Sequence, residues 1–142
     1  MEQKKSVNGD NMYNQKNCEE IYLSDTCDVY YLSEKNLVLV HWKKYCELET
    51  YRTPLNHALR VIREHKGCNY VADTRDGFED NPIDTKWVAD YFMPHAKEYG
   101  CRIIYFIIDK DNTLKDELEG QERDSSSLLE FRYIYDLDNI IS

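Results

Sequence analysis

The sequence is short of the residues that make tight turns, with five glycines and three prolines in 142 residues. A phosphate-cradling loop is hard to build from so few glycines. Neither G-x-G-x-x-G nor G-x-x-x-x-G-K-[ST] occurs, and G-x-S-x-G and H-E-x-x-H are missing too. No apolar run approaches the roughly 18 residues of a membrane helix, so no membrane partner is expected. The opening MEQKKSVNGDNMYNQKN has no apolar h-region, so no secretory leader is expected either. Positive charge is in deficit: 18 Lys and Arg face 27 Asp and Glu, a net charge of −9. That balance argues against a nucleic-acid partner, because phosphate binding draws on clustered Lys and Arg. The five cysteines (Cys18, Cys27, Cys46, Cys68, Cys101) are odd in number and form no C-x-x-C. Reduced thiols in a cytoplasmic protein are the simplest reading. Structural zinc would need closely spaced ligand pairs, so no metal and no cofactor is expected. A nucleophilic Cys assisted by His41, His57, His65 or His95 has no local signature.

Hydrophobic residues make up 42% and charged residues 32%, which fits one domain with a very polar surface. Residues 1–17 are too polar to offset the entropy of ordering and read as a disordered tail. Residues 18–142 read as a single domain. Two short apolar pieces, Ile21–Leu23 and Val29–Leu32, precede NLVLVHW at Asn36–Trp42. Ser33–Asn36 (SEKN) is turn chemistry, so the region reads as a β-hairpin. In LVLV both alternating sets are apolar, the pattern of a strand covered on both faces.

The period then changes. Tyr51, Leu55, Ala58, Leu59 and Ile62 have helical spacing within Thr50–Lys66, with Pro54 expected in the first turn and Gly67 as a left-handed terminator. Cys68–Asp73 reads as a strand. Asn81-Pro82 starts the next helix, with Asp84 three residues after the cap. Its apolar stripe is Ile83, Trp87, Val88, Tyr91 and Phe92, and Pro94 should kink or restart it. Cys101–Asp109 is the most apolar strand and should be central. Asn112 or Thr113 would cap a third helix carrying Leu114 and Leu118, and Phe131–Tyr135 is the last strand.

EHKGCNYVAD (Glu64–Asp73) and KEYGCRIIYFIID (Lys97–Asp109) share one plan: helix end, Gly-Cys, apolar strand, Asp. The repeat implies strand–helix–strand units, hence right-handed crossovers between parallel strands. The expected fold class is α/β, a mixed sheet of four to five strands with an N-terminal hairpin. Ligands of such sheets bind beyond the strand carboxyl ends, where Asp73 and Asp109 fall. The loop Thr74–Asn81 adds Arg75, Asp76, Glu79 and Asp80. Three readings compete there. The acids can be structural, with Asp73 paired to Arg75. They can hold a metal, although the loop is not D-x-[DN]-x-[DN]-G. Or the loop and helix start can dock a partner protein, with Phe78 and Trp87 as apolar anchors. His41–Lys66 carries six Lys and Arg against three Glu, and Asp109–Asp124 carries seven acids against three bases. Two solvated faces explain that asymmetry, and a basic first helix could also meet an acidic partner.

The order of elements is itself informative. A hairpin ending in Trp42 leads to a helix opening Tyr51-Arg52, a strand ending Ala72-Asp73-Thr74-Arg75, a helix opening Ile83-Asp84-Thr85-Lys86-Trp87 and reaching Pro94, then Gly100 and an apolar strand. Over roughly Ile21–Tyr135 this resembles the small bacterial STAS-like domains, the fold of the sporulation anti-anti-sigma factor. The likeness is to single-domain versions from gut bacteria, with spaced D-x-R, D-x-x-W and Pro positions. The resemblance implies a non-enzymatic regulatory or protein-interaction module. Anti-anti-sigma factors dock on a kinase-like partner and are switched by phosphorylation of a Ser in D-S-S-G. Thr85 falls at that place here, without the following Ser and Gly, and would be the phospho-acceptor. Other relatives of this architecture bind lipids or nucleotides in a cleft, which implies the alternative of a small-ligand domain. The candidate partner- or ligand-binding residues are therefore Asp73, Arg75, Asp84, Thr85, Trp87 and Asp109. A homodimer through an exposed strand edge is a further expectation.

Overall fold

The computed structural model describes residues 18–76, 81–109 and 129–139. It is an α/β domain built on one mixed sheet of six strands in sequential order. The strands are β1 (Cys18–Tyr22), β2 (Cys27–Leu32), β3 (Leu37–Trp42), β4 (Asn69–Asp73), β5 (Ile103–Ile107) and β6 (Glu130–Ile134). β1–β2 and β2–β3 are antiparallel, whereas β3–β4, β4–β5 and β5–β6 are parallel.

Six strands replace the expected four to five, because the first apolar piece is a true edge strand. Its Glu19 and Glu20 are exposed, so its apolar content is too low to stand out. The turn that pairs it with β2 is built by Ser24, whose Oγ accepts from the Cys27 N–H (3.0 Å) and donates to the Cys27 carbonyl (2.8 Å). Side-chain hydroxyls thus stand in for a backbone turn. At the next turn Asn36 adopts φ 54°, a left-handed conformation that Asn tolerates better than most residues.

Helix α1 (Glu49–Glu64) lies between β3 and β4. It starts a residue before the expected Thr50, so Pro54 falls in the second turn and has no N–H to offer the Thr50 carbonyl. Helix α2 (Pro82–Trp87) starts as the sequence indicates: the Asn81 Oδ1 accepts from the Asp84 N–H at 2.9 Å, and Pro82 is the first helical residue. Pro94 lies in the first turn of a new helical segment. A π turn at Val88–Phe92 widens the helix just upstream, and α3 (Met93–Glu98) continues it. The third helix expected after Asn112, with Leu114 and Leu118, lies outside the described residues, as do the expected tail 1–17 and Phe78, Glu79 and Asp80.

The repeated Gly-Cys pairs meet in space. Gly67 (φ 80°) and Gly100 (φ 109°) are both left-handed, and a Cβ on Gly100 would lie 3.3 Å from the Gly67 nitrogen. Asn69 joins the two units, its Oδ1 accepting from the Arg102 N–H (2.9 Å) and the Ile103 N–H (3.0 Å). The repeat is therefore a packing device at the amino ends of β4 and β5.

Helices α1, α2 and α3 share one side of the sheet. Val29, Val38, Val40, Trp42, Tyr70, Ala72, Ile104 and Phe106 meet Leu55, Ala58, Ile62, Val88, Phe92, Met93 and Ala96 in one cluster. Trp42 is stacked on Tyr51 (4.8 Å between ring centres), and Tyr70 meets Phe92 edge-on at 5.1 Å. The opposite side carries a second apolar cluster, Leu32, Leu37, Leu39, Val71, Tyr105, Ile107 and Leu137. β3 is buried along its whole length, as its two apolar sets require.

Four thiols sit inside the fold. Burial pushes Cys68 and Cys101 from an ordinary 9.0 up to about 12. Burial also raises Cys27 and Cys46. Unfolded thiols ionise above 9.0 while Cys68 and Cys101 keep their protons to about 12, so the unfolded state binds fewer protons in that window. The stabilisation is whole below pH 9 and is lost as the pH rises toward 12. Urea midpoints should therefore stay level from pH 7 to 9 and fall above it, with a shallower fall for Cys68→Ala/Cys101→Ala. Equal slopes for the two proteins would assign the loss to other groups.

Candidate functional site

Strand alternation puts Leu37, Leu39 and His41 on the side of β3 opposite α1, α2 and α3. The register then sets Asp28 of β2 opposite His41, and His41 opposite Asp73 of β4. A buried row of two acids and an imidazole therefore crosses three strands at the carboxyl ends of β3 and β4. Bare carboxylates could not remain charged there. Each has a cation. Arg75 grips Asp73 in a two-pronged pair, Nε to Oδ1 and Nη2 to Oδ2, both at 2.9 Å. The Arg75 N–H adds a bond of 3.1 Å to the same Oδ1. Lys43 Nζ lies 3.1 Å from Asp28, which also accepts from the Ser24 N–H at 3.1 Å. His41 Nε2 meets the exposed carboxylate of Asp76 at 2.7 Å. The loop is fixed to the neighbouring strand by Thr74, whose N–H and hydroxyl both donate to the Ile107 carbonyl (3.0 and 2.8 Å). Burial and the Asp28 charge together raise the Tyr30 phenol.

A second constellation lies on the helix side, where α1 and α2 begin. Asp84 is buried there and accepts from the Leu48 N–H (2.9 Å), Arg52 Nε (3.1 Å) and Asn81 Nδ2 (2.9 Å). Those bonds offset the cost of holding a carboxylate away from water. They also hold Leu48 at φ 53°, a conformation disfavoured for a branched side chain. The Arg52 guanidinium lies over the Trp87 ring, 5.3 Å from its centre. Trp87 in turn stacks on Tyr91 at 5.2 Å.

The six candidate residues thus divide. Asp73 and Arg75 act as a pair on the side of the sheet opposite α1, α2 and α3. Asp84 and Trp87 meet through Arg52 on the helix side. Thr85 stands beside Asp84, half-buried, its hydroxyl donating to the Asn81 carbonyl at 3.0 Å. Asp109 is exposed two residues past β5 and joins neither group. The sequence reading missed Asp28, Arg52 and the role of His41. Alternation in LVLVHW carried a signal for His41, as the polar end of an otherwise apolar face. Nothing local marks Arg52, whose partner Asp84 is 32 residues away, or the pairing of Asp28 with Lys43. Among the described residues, no group of three His, Cys, Asp or Glu is arranged to hold a metal ion.

Arg75 is first a neutraliser of a buried charge. Its side chain is 23% exposed and that of Asp73 only 2%. Arg75→Ala should cost about 3 kcal/mol in urea unfolding, the scale for stripping one half of a buried pair. Asp73→Asn/Arg75→Ala should recover part of that loss. A double variant no more stable than the single one would show that the pair is not the source.

Compared with protein-family models, curated proteins and solved structures, the chain matches none.

Proposed function

We propose that this chain is a non-enzymatic, cytoplasmic regulatory module of the STAS-like kind, which acts by docking a partner protein on the outer face of α2. One observation carries the reading. The helix turns an apolar stripe to solvent: Ile83 is 63% exposed and Tyr91 is 41% exposed, with half-buried Trp87 between them. Leu48, 47% exposed, extends the patch across the bonds that its backbone makes to Asp84. Ile83, Trp87 and Tyr91 are four residues apart and so line one side of the helix, while Val88 and Phe92 of the same stripe enter the core. Trp, Tyr and Arg are the side chains that dominate binding interfaces, and here Arg52, Trp87 and Tyr91 are already stacked. Little ordering entropy would remain to be lost on docking.

Buried, proton-retaining thiols support the non-enzymatic side of the reading, because a Cys nucleophile needs a thiolate within reach of substrate. No helix among the described residues is long and apolar enough to cross a membrane. The sheet edges carry Glu19, Glu20, Glu130 and Arg132, all exposed, and such charges oppose edge-to-edge pairing into a homodimer. Thr85 is two residues from Ile83 and so faces away from the stripe, and a phosphate there would alter the charge at the start of α2 rather than on the docking face itself.

Ile83→Asp tests the reading without touching a buried group. The wild-type chain should capture a partner from native lysate, and the variant should lose it with a melting temperature within about 2 °C, as befits a surface change. A photo-crosslinking residue at position 83 should mark that partner, and one at exposed Glu34, at the other end of β3, should not. Equal capture by wild type and Ile83→Asp would sink the reading.

A second reading, a small-ligand domain for a nucleotide or a lipid, rests on the Asp28–His41–Asp73 row at the strand carboxyl ends, where such sheets bind ligands. It predicts a rise in melting temperature with a nucleotide or a lipid, lost in His41→Ala. Unchanged melting across both classes of compound would count against it.

A further inference from the structure

Five cations among the described residues have a carboxylate close at hand. Lys43–Asp28 and Arg52–Asp84 are 3.1 Å apart, Arg75–Asp73 is 2.9 Å, and Lys86–Asp90 and Arg132–Glu130 are 2.6 Å. The outer face of α1 departs from this pattern. Arg63 makes no ion pair among the described residues; its guanidinium lies 5.9 Å from the centre of the Tyr99 ring. Arg60, one helical turn earlier, has a single long contact to Glu64, 3.6 Å between groups that are each about half exposed. Such a pair holds little free energy.

Both arginines line a cleft of about 150 Å³ between α1 and the α2–α3 helix. Its other walls are Asn56, Leu59, Tyr91 and Tyr99. Leu59 is buried and forms an apolar floor. Asn56, Arg60 and Arg63 fall on one face of α1 by their spacing. The Asn56 amide makes no hydrogen bond among the described residues. No carboxylate lines the cleft, so its polar groups are two guanidinium forks, an amide and two phenols. Nearby charges offset the arginines only in part. Glu64 is spent on Arg60 from the side, Asp90 beside Tyr91 is held by Lys86 at 2.6 Å, and Glu98 beside Tyr99 adjoins Lys97. His57 is held below its ordinary value by burial first and the Arg60 charge second, which favours its neutral ring. Its Nδ1 lies 3.4 Å from Arg60 Nη2 and can accept from it, which helps to fix that fork.

We infer that this cleft is a binding site for a phosphate group, seated on the Arg60 and Arg63 forks and flanked by the Tyr91 and Tyr99 rings. Guanidinium suits this because it offers paired donors in a plane and cannot lose its charge. The phosphate can be a free ion or the end of a small molecule with an aromatic body that packs on the tyrosines. The site lies on the helix layer, away from the strand carboxyl ends, and its test does not depend on the docking face.

The test titrates the full-length, 15N-labelled chain with inorganic phosphate, pyrophosphate and phenyl phosphate, with sodium chloride at matched ionic strength as control. Phosphate or pyrophosphate should give saturable shifts confined to Asn56, Leu59, Arg60, Arg63, Tyr91 and Tyr99, and chloride should not. Tighter binding of phenyl phosphate than of phosphate would identify a ring-bearing ligand; equal binding would identify the phosphate alone. Arg63→Gln should weaken binding by about tenfold or more, the loss of one charged fork. Arg63→Lys should fall between the two. Arg63 is exposed, so an unchanged melting temperature will show that the variant is folded. Shifts that do not saturate, that chloride reproduces, or that survive in Arg60→Gln/Arg63→Gln would overturn the assignment.

Discussion

The parallel pairing of β3 with β4 is the constraint from which the rest of the domain follows. Parallel neighbours cannot be joined by a tight turn, so the chain must cross over through α1. The next two strands repeat the step in the same direction. Crossovers of one hand that step one way place their helices on one side, and α1, α2 and α3 pack in a single cluster. The same pairing aligns His41 with Asp73 and carries the loop after β4 to the carboxyl end of the sheet.

From this geometry come two kinds of buried charge. On the side opposite α1, α2 and α3, Asp73 and Asp28 each sit beside a cation close in space, one from the adjoining loop and one from the end of β3. On the helix side Asp84 ties the first turns of two helices together by accepting from Leu48, Arg52 and Asn81. Both are networks in which a carboxylate orders backbone that would otherwise be free to move. Buried carboxylates at the ends of parallel strands are often read as chemistry, and here their partners identify a structural use first.

Helix α2 and its extension work differently. The π turn at Val88–Phe92 inserts a wider turn just ahead of Pro94. A regular helix would rotate successive stripe residues steadily around the axis. The wider turn accompanies a division of the stripe: Val88 and Phe92 are in the core, and Tyr91 is at the surface beside Trp87. Tyr91 then serves two surfaces at once, as the end of the apolar patch and as one wall of the arginine cleft.

What the sequence determined by itself was local. Period told strand from helix, Asn81-Pro82 marked a helix start, and Gly67 marked a left-handed end, because each depends on backbone chemistry within a few residues. The Gly-Cys repeat gave the strand–helix–strand unit, and the D-T-R run at Asp73–Arg75 gave an ion pair, since both partners are neighbours in the chain. β1 was underweighted because an edge strand with Glu19 and Glu20 lacks the apolar contrast that identifies a buried one. The rest was decided by tertiary structure. Arg52 reaches Asp84 across 32 residues, His41 reaches Asp76 across 35, and Arg60 and Arg63 face Tyr91 and Tyr99 from another helix. Composition and spacing carry no record of such distances. Which face a residue occupies, and which charge waits there, is fixed only when the sheet register and the helix layer bring distant segments together.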